Sequence, residues 1–168
     1  EELISILEEK RADISICLGL KFDEKFASII DNEKKILEFT SEEAIEDMLY
    51  RKIVNSYAWG KLFKTNFWAG IRFPEGALFE DVKTIYKLYD LADKIVMTNQ
   101  YLYYYYQRTG SIINSGFDKR KLDVVKAGIE IKKFVDKKYP KISDAAISKI
   151  FISSLDQYRK IPYGRKYQ

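Results

Sequence analysis

The sequence contains no histidine and only one cysteine among its 168 residues. Without histidine the chain cannot form a Ser-His-Asp or Cys-His catalytic site, nor a metal centre with histidine ligands. One cysteine permits neither an internal disulfide nor a Cys-rich zinc site. Because Cys17 lies in an apolar run, we expect a buried structural thiol rather than a nucleophile. Acid–base chemistry must therefore come from carboxylates, lysines, tyrosines or a metal that a ligand carries.

A strong charge bias and long apolar runs are also missing. The 29 basic residues are interspersed with 25 acidic ones, which gives a net charge of +4. A nucleic-acid-binding domain usually has a denser basic stripe, so we expect no nucleic acid as a partner. No apolar run approaches the roughly 20 residues of a membrane-spanning helix. The chain opens on two glutamates without the basic start of a signal peptide, so we expect a cytoplasmic protein. It also lacks an initiator methionine, which indicates either a processed chain or, the interpretation we prefer, a piece of a longer one.

Hydrophobic periodicity predicts an α/β fold that ends in two long helices. Strands are expected at residues 13–18, 36–39, 95–98 and 101–107, and helices at 1–11, after Thr40, and at 79–92, 118–138 and 143–160. Gly19 is expected to end the first strand, and Asn99 with Gln100 to form a turn between the last two strands. The aromatic stretch 53–76 is expected to be irregular because glycine and proline interrupt it.

Polar residues mark the predicted helix starts. Thr40 and Glu43 have the spacing of a capping box, in which each residue hydrogen bonds to the backbone of the other. Asp118 and Ser143 are the expected N-caps of the two C-terminal helices.

One carboxylate falls on the wrong face of the helix predicted at 79–92. At about 100° per residue, Asp81 projects among Ile85, Leu88 and Ala92, within the apolar stripe. An unpaired carboxylate on a core-facing stripe is costly, so this position requires an explanation. Two interpretations stay open: Asp81 caps the helix start, or it faces a cleft and acts as a general base toward a hydroxyl group.

Glu80 is the other candidate catalytic carboxylate, and it is the less suitable base. It falls on the polar side of the helix together with Lys83, Thr84 and Lys87. A carboxylate beside two lysines on a polar face is usually a solvated surface group.

Four blocks of sequence resemble a known family. They are residues 57–64 (YAWGKLFK), 71–76 (IRFPEG), 79–82 (FEDV) and 103–112 (YYYYQRTGSI). In this order and at this spacing they look like the C-terminal half of bacterial family 2 glycosyltransferases, the enzymes of capsule and exopolysaccharide synthesis. The upstream segment 12–17 (ADISIC) resembles the family as well.

The resemblance implies a fold and a reaction. Such enzymes have a GT-A fold and move a sugar from a nucleotide-sugar donor to an acceptor hydroxyl, usually with inversion. The Glu-Asp pair at the head of the helix carries the catalytic base, which by position is Asp81. A divalent cation, Mg²⁺ or Mn²⁺, held by an Asp-x-Asp motif, offsets the charge of the leaving diphosphate.

The chain also departs from the family pattern. In the family, the nucleotide-binding half and the Asp-x-Asp motif precede the helix on which this chain begins, and Asp13, Asp23 and Asp31 do not form that motif. Residues 1–117 would then be the acceptor-side part of a GT-A-like domain, and residues 118–168 a helical extension. We expect the metal ligands to lie outside the chain, and the chain alone to be inactive.

Three further side chains are candidates for binding the substrate. Trp59 is expected to stack on a sugar ring or to belong to the core. By resemblance Lys61 lines the sugar or phosphate region, with packing over an aromatic ring as the alternative. Arg108 is expected to pair with a diphosphate or to form a surface salt bridge.

Two segments indicate partners beyond the donor and a saccharide or lipid-linked acceptor. The basic, aromatic tail 159–167 predicts a peripheral contact with the inner face of an anionic membrane. Helix 118–138 has apolar residues on two sides, which predicts a partner surface for the missing half, the last helix or a second copy. The alternative function is therefore a non-catalytic module for assembly or membrane docking.

Overall fold

The computed structural model describes residues 1–22, 33–106 and 116–162. The helices are α1 (Glu2–Glu9), α2 (Ser41–Tyr50), α3 (Glu80–Tyr89), α4 (Asp123–Lys138) and α5 (Ser143–Lys160). The strands are β1 (Ile14–Phe22), β2 (Ile36–Phe39), β3 (Lys61–Phe63) and β4 (Ile95–Tyr106). The predicted α/β class with two C-terminal helices is thereby confirmed.

The sheet has the strand order β2-β4-β1-β3. The central strands β1 and β4 run parallel, whereas β2 and β3 pair antiparallel with them at the two edges. Both central strands are buried where they begin, as the complete burial of Ile14, Ile16 and Ile95 shows. Because parallel strands end at the same edge of a sheet, the carboxyl ends of β1 and β4 extend together out of the core.

Two predicted strand boundaries are wrong. Gly19 does not end β1, and Asn99 with Gln100 does not form a turn, because β4 is one continuous strand. The ladder between β1 and β4 contains two register shifts, one on each side of Leu18. Asn99 is held instead by the segment just before β2: its side chain accepts a hydrogen bond from the Lys35 amide at 2.8 Å and donates one to the Glu33 carbonyl at 2.9 Å.

The aromatic stretch 53–76, predicted to be irregular, contains two short elements. Strand β3 pairs with the start of β1, and a 3₁₀ turn follows over Thr65–Trp68. In this turn the Trp68 ring packs edge-on against Phe63 of β3, with 5.7 Å between the ring centroids. The aromatic side chains therefore pack onto the edge of the sheet, although no long strand or helix forms.

The core lies where α2, α3 and α4 pack together with the starts of the central strands. Helix α3 contributes Ile85, Leu88 and Tyr89, all completely buried. Thr84 is buried as well and donates a hydrogen bond to the Glu80 carbonyl at 2.8 Å, so its predicted place on the polar side is wrong. A threonine tolerates this because its hydroxyl can bond within its own helix.

The C-terminal helices share this core. Val124, Ile131 and Val135 of α4 are buried in it, whereas Leu122 and Ile129 are 38% and 45% exposed. The helix thus uses one of its two apolar sides for the core. The partner surface on the other side and the division of the chain at residues 117 and 118 both stay predictions.

The thiol of Cys17 is buried, as predicted. Burial raises its pKa, which keeps it protonated and unreactive.

The predicted caps differ in outcome. The capping box of Thr40 and Glu43 is confirmed, with the Thr40 amide donating to Glu43 Oε2 at 2.8 Å. Asp118 caps a 3₁₀ turn (Lys119–Leu122) that precedes α4, rather than α4 itself. Ser143 is the first residue of α5 and donates its hydroxyl hydrogen to Asp136 at 2.9 Å, so its predicted capping role is wrong.

Thr40→Ala is expected to lower the free energy of unfolding by about 1 kcal/mol, because the first turn of α2 loses its side-chain cap. Urea denaturation followed by circular dichroism measures this change. Ser154→Ala is the matched control, since Ser154 is exposed and its hydroxyl donates a hydrogen bond within its own helix, to the Ile150 carbonyl at 2.8 Å. An equal loss in both variants would contradict a specific capping contribution.

Candidate functional site

A cavity of about 1070 Å³ opens between the start of α3, the segment 51–59 and the inner face of α5. Its lining combines aromatic and aliphatic side chains with six basic residues, three acidic residues and two amides. Ligand sites in proteins commonly have about this size. The cavity is therefore the candidate site, and Asp81 and Trp59 both line it.

The backbone before α3 directs Asp81 toward this cavity. Phe79 adopts a left-handed conformation with φ of 59° and ψ of 40°, and the helix begins at the next residue. Asp81 is thus the second residue of α3, where a free backbone amide is available. Its Oδ1 accepts a hydrogen bond from the Val82 amide at 2.7 Å. This contact caps one amide and leaves the second carboxylate oxygen for other partners.

The surroundings make Asp81 more basic than an ordinary aspartate. Burial raises its pKa, and the negative charge of Glu80 raises it further. The Val82 amide and the positive charges of Lys149 and Lys61 oppose this shift without cancelling it. A carboxylate with a raised pKa binds a proton more readily, which is the property that a general base needs.

Glu80 lines the same cavity, but its side chain is exposed. Lys83, predicted to lie beside it, pairs with Glu130 of α4 at 3.8 Å. The two acidic residues therefore differ in environment, with Asp81 largely removed from water and Glu80 in contact with it.

Lys61 holds part of the cavity lining in place through hydrogen bonds. It is not among the residues that line the cavity, and its ammonium group donates hydrogen bonds to Asn55 Oδ1 at 2.7 Å and to the Tyr57 carbonyl at 2.8 Å. The same Asn55 oxygen accepts from the Tyr57 amide at 3.0 Å. These bonds fix the loop between α2 and β3. Burial lowers the pKa of Lys61 to about 7, against opposing effects of Cys17 and Asp81.

Trp59 lies in a stack of aromatic rings. Its ring is nearly parallel to that of Tyr57, with 4.6 Å between centroids, and to that of Tyr103, with 4.5 Å between centroids. Tyr105 is stacked at 5.3 Å. The stack rests on Gly19 of β1, where a side chain would overlap the indole. Trp59 therefore packs against three tyrosine rings, and its predicted stacking on a sugar stays a prediction.

Several lining residues were not predicted from the sequence. The most notable are three polar residues of α5, Lys149, Ser153 and Gln157, which are between 0% and 6% exposed. Burial and the nearby Arg51 lower the pKa of Lys149 to about 8, and Asp81 and Asp156 oppose this shift. Their regular spacing of four residues was a signal that they share one helix face.

Some predicted site residues lie outside the described part of the chain. Arg108 and the glycine and serine that follow it fall between residues 107 and 115. The predicted membrane-contacting tail is described only as far as residue 162. Among the described residues, no helix is both long enough and apolar enough to cross a membrane.

The described residues do not offer a donor set for a divalent cation. Across residues 1–22, 33–106 and 116–162, no three acidic or cysteine side chains are grouped as metal ligands. The acidic side chains on the cavity lining are Glu80, Asp81 and Asp156, and Asp156 is paired with Arg51 at 2.9 Å.

The protonation of Lys61 predicts a pH dependence of stability. Its pKa is near 7 in the folded chain and near 10.5 in the unfolded chain, so the unfolded state binds more protons between these values. The free energy of unfolding is therefore expected to rise as the pH increases from about 7 to about 10.5. Denaturant titrations across this range should show a smaller rise for Lys61→Met. The exposed Lys133→Met is the control, and an equally reduced rise in both variants would contradict the assignment.

Comparison with known proteins indicates which class of protein the chain resembles. No protein-family model matches the chain. Two relatives with similar sequences are both named as glycosyltransferases and come from Streptococcus pneumoniae serotype 4. They support the resemblance at the level of glycosyltransferases.

The first of these relatives is Glycosyltransferase GlyG. It is 30% identical over 154 aligned positions, which cover 78% of this chain and 50% of GlyG. The second, Glycosyltransferase GlyA, is 28% identical over 120 positions, which cover 67% of this chain and 17% of GlyA. The chain thus spans about half the length of the first relative and a smaller part of the second.

Proposed function

We propose that the chain is the acceptor-side part of a family 2 glycosyltransferase with a GT-A fold. The full-length enzyme would move a sugar from a nucleotide-sugar donor to an acceptor hydroxyl during the synthesis of a cell-surface polysaccharide. Three observations support this proposal: the four sequence blocks, the similarity to two glycosyltransferases, and the cavity beside α3. The observation that carries it is the position of Asp81, which is largely removed from water on the wall of that cavity.

Asp81 is the proposed general base. The acceptor hydroxyl gives its proton to the Asp81 carboxylate while its oxygen attacks the anomeric carbon of the donor sugar. The bond between that carbon and the diphosphate breaks, and the nucleoside diphosphate leaves with the bonding electrons. The raised pKa of Asp81 supports this role, because it makes the carboxylate a stronger base for removing the hydroxyl proton.

The other residues of the cavity position this base. The Val82 amide holds one carboxylate oxygen of Asp81. Lys149 is buried in the lining of the same cavity, and its positive charge favours the ionised carboxylate. The segment 51–59, which lines the same cavity, is fixed by two contacts at Asn55. Lys61 donates a hydrogen bond to the Asn55 side chain, and the Tyr89 hydroxyl donates one to the Asn55 carbonyl at 2.7 Å.

The donor and its cation belong to the proposal for the full-length enzyme. A Mg²⁺ or Mn²⁺ ion would neutralise the diphosphate charge there. Its ligands, and those of the nucleotide, are proposed to come from residues outside this chain.

The release of a nucleoside diphosphate tests the proposal. The full-length protein is incubated with a panel of nucleotide sugars, with Mg²⁺ or Mn²⁺ and with chelator as the control. We expect release from at least one donor that stops when the chelator is added. Absence of release from every donor, in a protein that folds and binds none of them, would refute glycosyl transfer.

A role in assembly is the second candidate, because large apolar side chains remain exposed on the C-terminal helices. Ile129 of α4 is 45% exposed, and Ile147 and Phe151 of α5 are 52% and 66% exposed. Such groups favour an interface with another protein surface. Light scattering tests whether the partner is a second copy of this chain. A measured mass equal to one chain would exclude that partner.

A further inference from the structure

Helix α5 presents a row of three polar residues to the cavity. Lys149, Ser153 and Gln157 are four residues apart, so they lie on one face of the helix. Their exposed fractions are 6%, 0% and 5%, although residues of these types are usually found at the surface. All three line the same cavity as Asp81.

Two atoms of this row lack a hydrogen-bond partner. Within residues 1–22, 33–106 and 116–162, the Ser153 hydroxyl oxygen and Gln157 Oε1 are buried and unpaired. Buried polar atoms in proteins nearly always have a partner, either in the protein or in a bound molecule. Because both side chains line the cavity, a molecule in the cavity can supply what the chain does not.

The chemistry of these atoms indicates the kind of molecule. Gln157 Oε1 is a carbonyl oxygen that only accepts, whereas the Ser153 hydroxyl both donates and accepts. The partner must therefore bring a hydrogen to donate, as a hydroxyl group does and a phosphate or carboxylate oxygen does not. Arg51, another basic residue of the lining, is bonded to Asp156 at 2.9 Å. The basic residues of the lining can pair with an anion, but Gln157 Oε1 cannot, whereas a group with several hydroxyls satisfies both accepting oxygens of the row.

The rest of the lining agrees with a saccharide. Tyr57 and Tyr105 also line the cavity, and aromatic side chains offer apolar surface to the C–H groups of a sugar ring. Lys149 supplies a donor at the other end of the row. Aromatic surface combined with fixed polar groups is typical of sites that select an orientation.

We propose that Lys149, Ser153 and Gln157 form a subsite that binds hydroxyl groups of a saccharide. Ser153 and Gln157 each accept a hydrogen bond from a sugar hydroxyl, and Lys149 donates one to a sugar oxygen. The identification of this saccharide as the acceptor of glycosyl transfer rests on the function proposed above. The binding of a saccharide to the row is independent of that function.

Saturation-transfer NMR on the full-length protein tests the subsite. Maltotriose, lactose and chitobiose are the saccharide probes, and inorganic phosphate is the anionic probe. We expect saturable binding of at least one saccharide, at least tenfold weaker in Ser153→Ala and in Gln157→Met. Gln157→Glu keeps an accepting oxygen and is expected to bind the saccharide within threefold of the unchanged protein, which separates a lost hydrogen bond from a lost fold.

A matched control makes the outcome specific. Ser154→Ala changes the neighbouring serine, which is exposed, and is expected to leave the affinity unchanged. Saccharide affinity that is equal in the unchanged protein, Ser153→Ala and Gln157→Met would overturn the proposal. So would the absence of saturable binding by all three saccharides, or binding of phosphate alone.

The proposed subsite and the proposed function fail differently. Asp81→Asn is expected to lower the turnover number by roughly 10²–10⁴-fold. It is expected to retain saccharide binding, because Asp81 is not part of the row. If the α5 variants lose saccharide binding while Asp81→Asn retains turnover, the subsite stands and the base assignment falls. If Asp81→Asn abolishes turnover while the α5 variants bind like the unchanged protein, only the subsite falls.

Discussion

Asp81→Asn in the full-length protein is expected to lower the turnover number for sugar transfer by roughly 10²–10⁴-fold, the usual contribution of a general base. Asparagine has almost the same shape but cannot accept the acceptor proton. Donor affinity should stay unchanged, because the proposed donor site lies outside this chain. Steady-state kinetics with saturating donor, together with equilibrium binding of the donor, measure both quantities.

The stability of the same variant separates catalysis from folding. Because the pKa of Asp81 is raised, the folded chain binds its proton more tightly than the unfolded chain does. The free energy of unfolding therefore falls as the pH rises through the titration of Asp81, and asparagine removes this loss. At neutral pH we expect Asp81→Asn to be at least as stable as the unchanged protein in urea. A large loss of stability would attribute the lost turnover to misfolding.

Glu80→Gln is the matched comparison. Glu80 is adjacent in sequence and lines the same cavity, but its side chain is exposed. We expect a smaller loss of turnover than for Asp81→Asn, arising from the charge that Glu80 contributes beside Asp81. A larger loss for Glu80→Gln would transfer the role of base to Glu80.

Gly19→Ala is expected to lower the free energy of unfolding by about 1–3 kcal/mol, the usual cost of overfilling a packed site. A Cβ atom at Gly19 would overlap the six-membered part of the Trp59 ring. The ring cannot simply rotate away, because Tyr57 and Tyr103 are stacked against it. The aromatic stack must therefore separate, and near-UV circular dichroism with tryptophan fluorescence should record the change.

Gly70→Ala is the control for this effect. Apart from the two flanking residues, no atom in the described part of the chain lies within 4 Å of a Cβ built at Gly70, so this substitution adds a methyl group in open space. We expect it to leave the near-UV spectrum unchanged and the stability the same or slightly higher, since alanine restricts the unfolded chain. Equal spectra for Gly19→Ala and the unchanged protein would contradict the stack.

Local sequence rules predicted the features that depend on neighbouring residues. The capping box of Thr40 and Glu43 needs only a spacing of three residues, and it formed as expected. Strand β2 and the burial of Cys17 followed in the same way from short apolar runs. The continuity of β4 could not be read locally, because Asn99 is held by residues 33 and 35, more than sixty positions away.

The candidate site was predictable only in part. The helical wheel selected Asp81, since a carboxylate on an apolar stripe is visible in the sequence. The polar row on α5 was not recognised in the sequence, because apolar residues of the same helix lie between its members. Its burial follows from the packing of α5 against α2 and α4. The partners of Lys61 lie in an irregular loop, for which periodicity offers no orientation. Side chains brought together by tertiary contacts therefore require the structure.

The configuration of the product tests the central claim most directly. A base that activates the acceptor hydroxyl for a single displacement inverts the anomeric carbon, because the acceptor oxygen attacks opposite the departing diphosphate. Proton NMR of the first product formed by the full-length enzyme records the coupling constant at that carbon. The account with Asp81 as base predicts the configuration opposite to that of the donor. Retention of the donor configuration in the first product would contradict it.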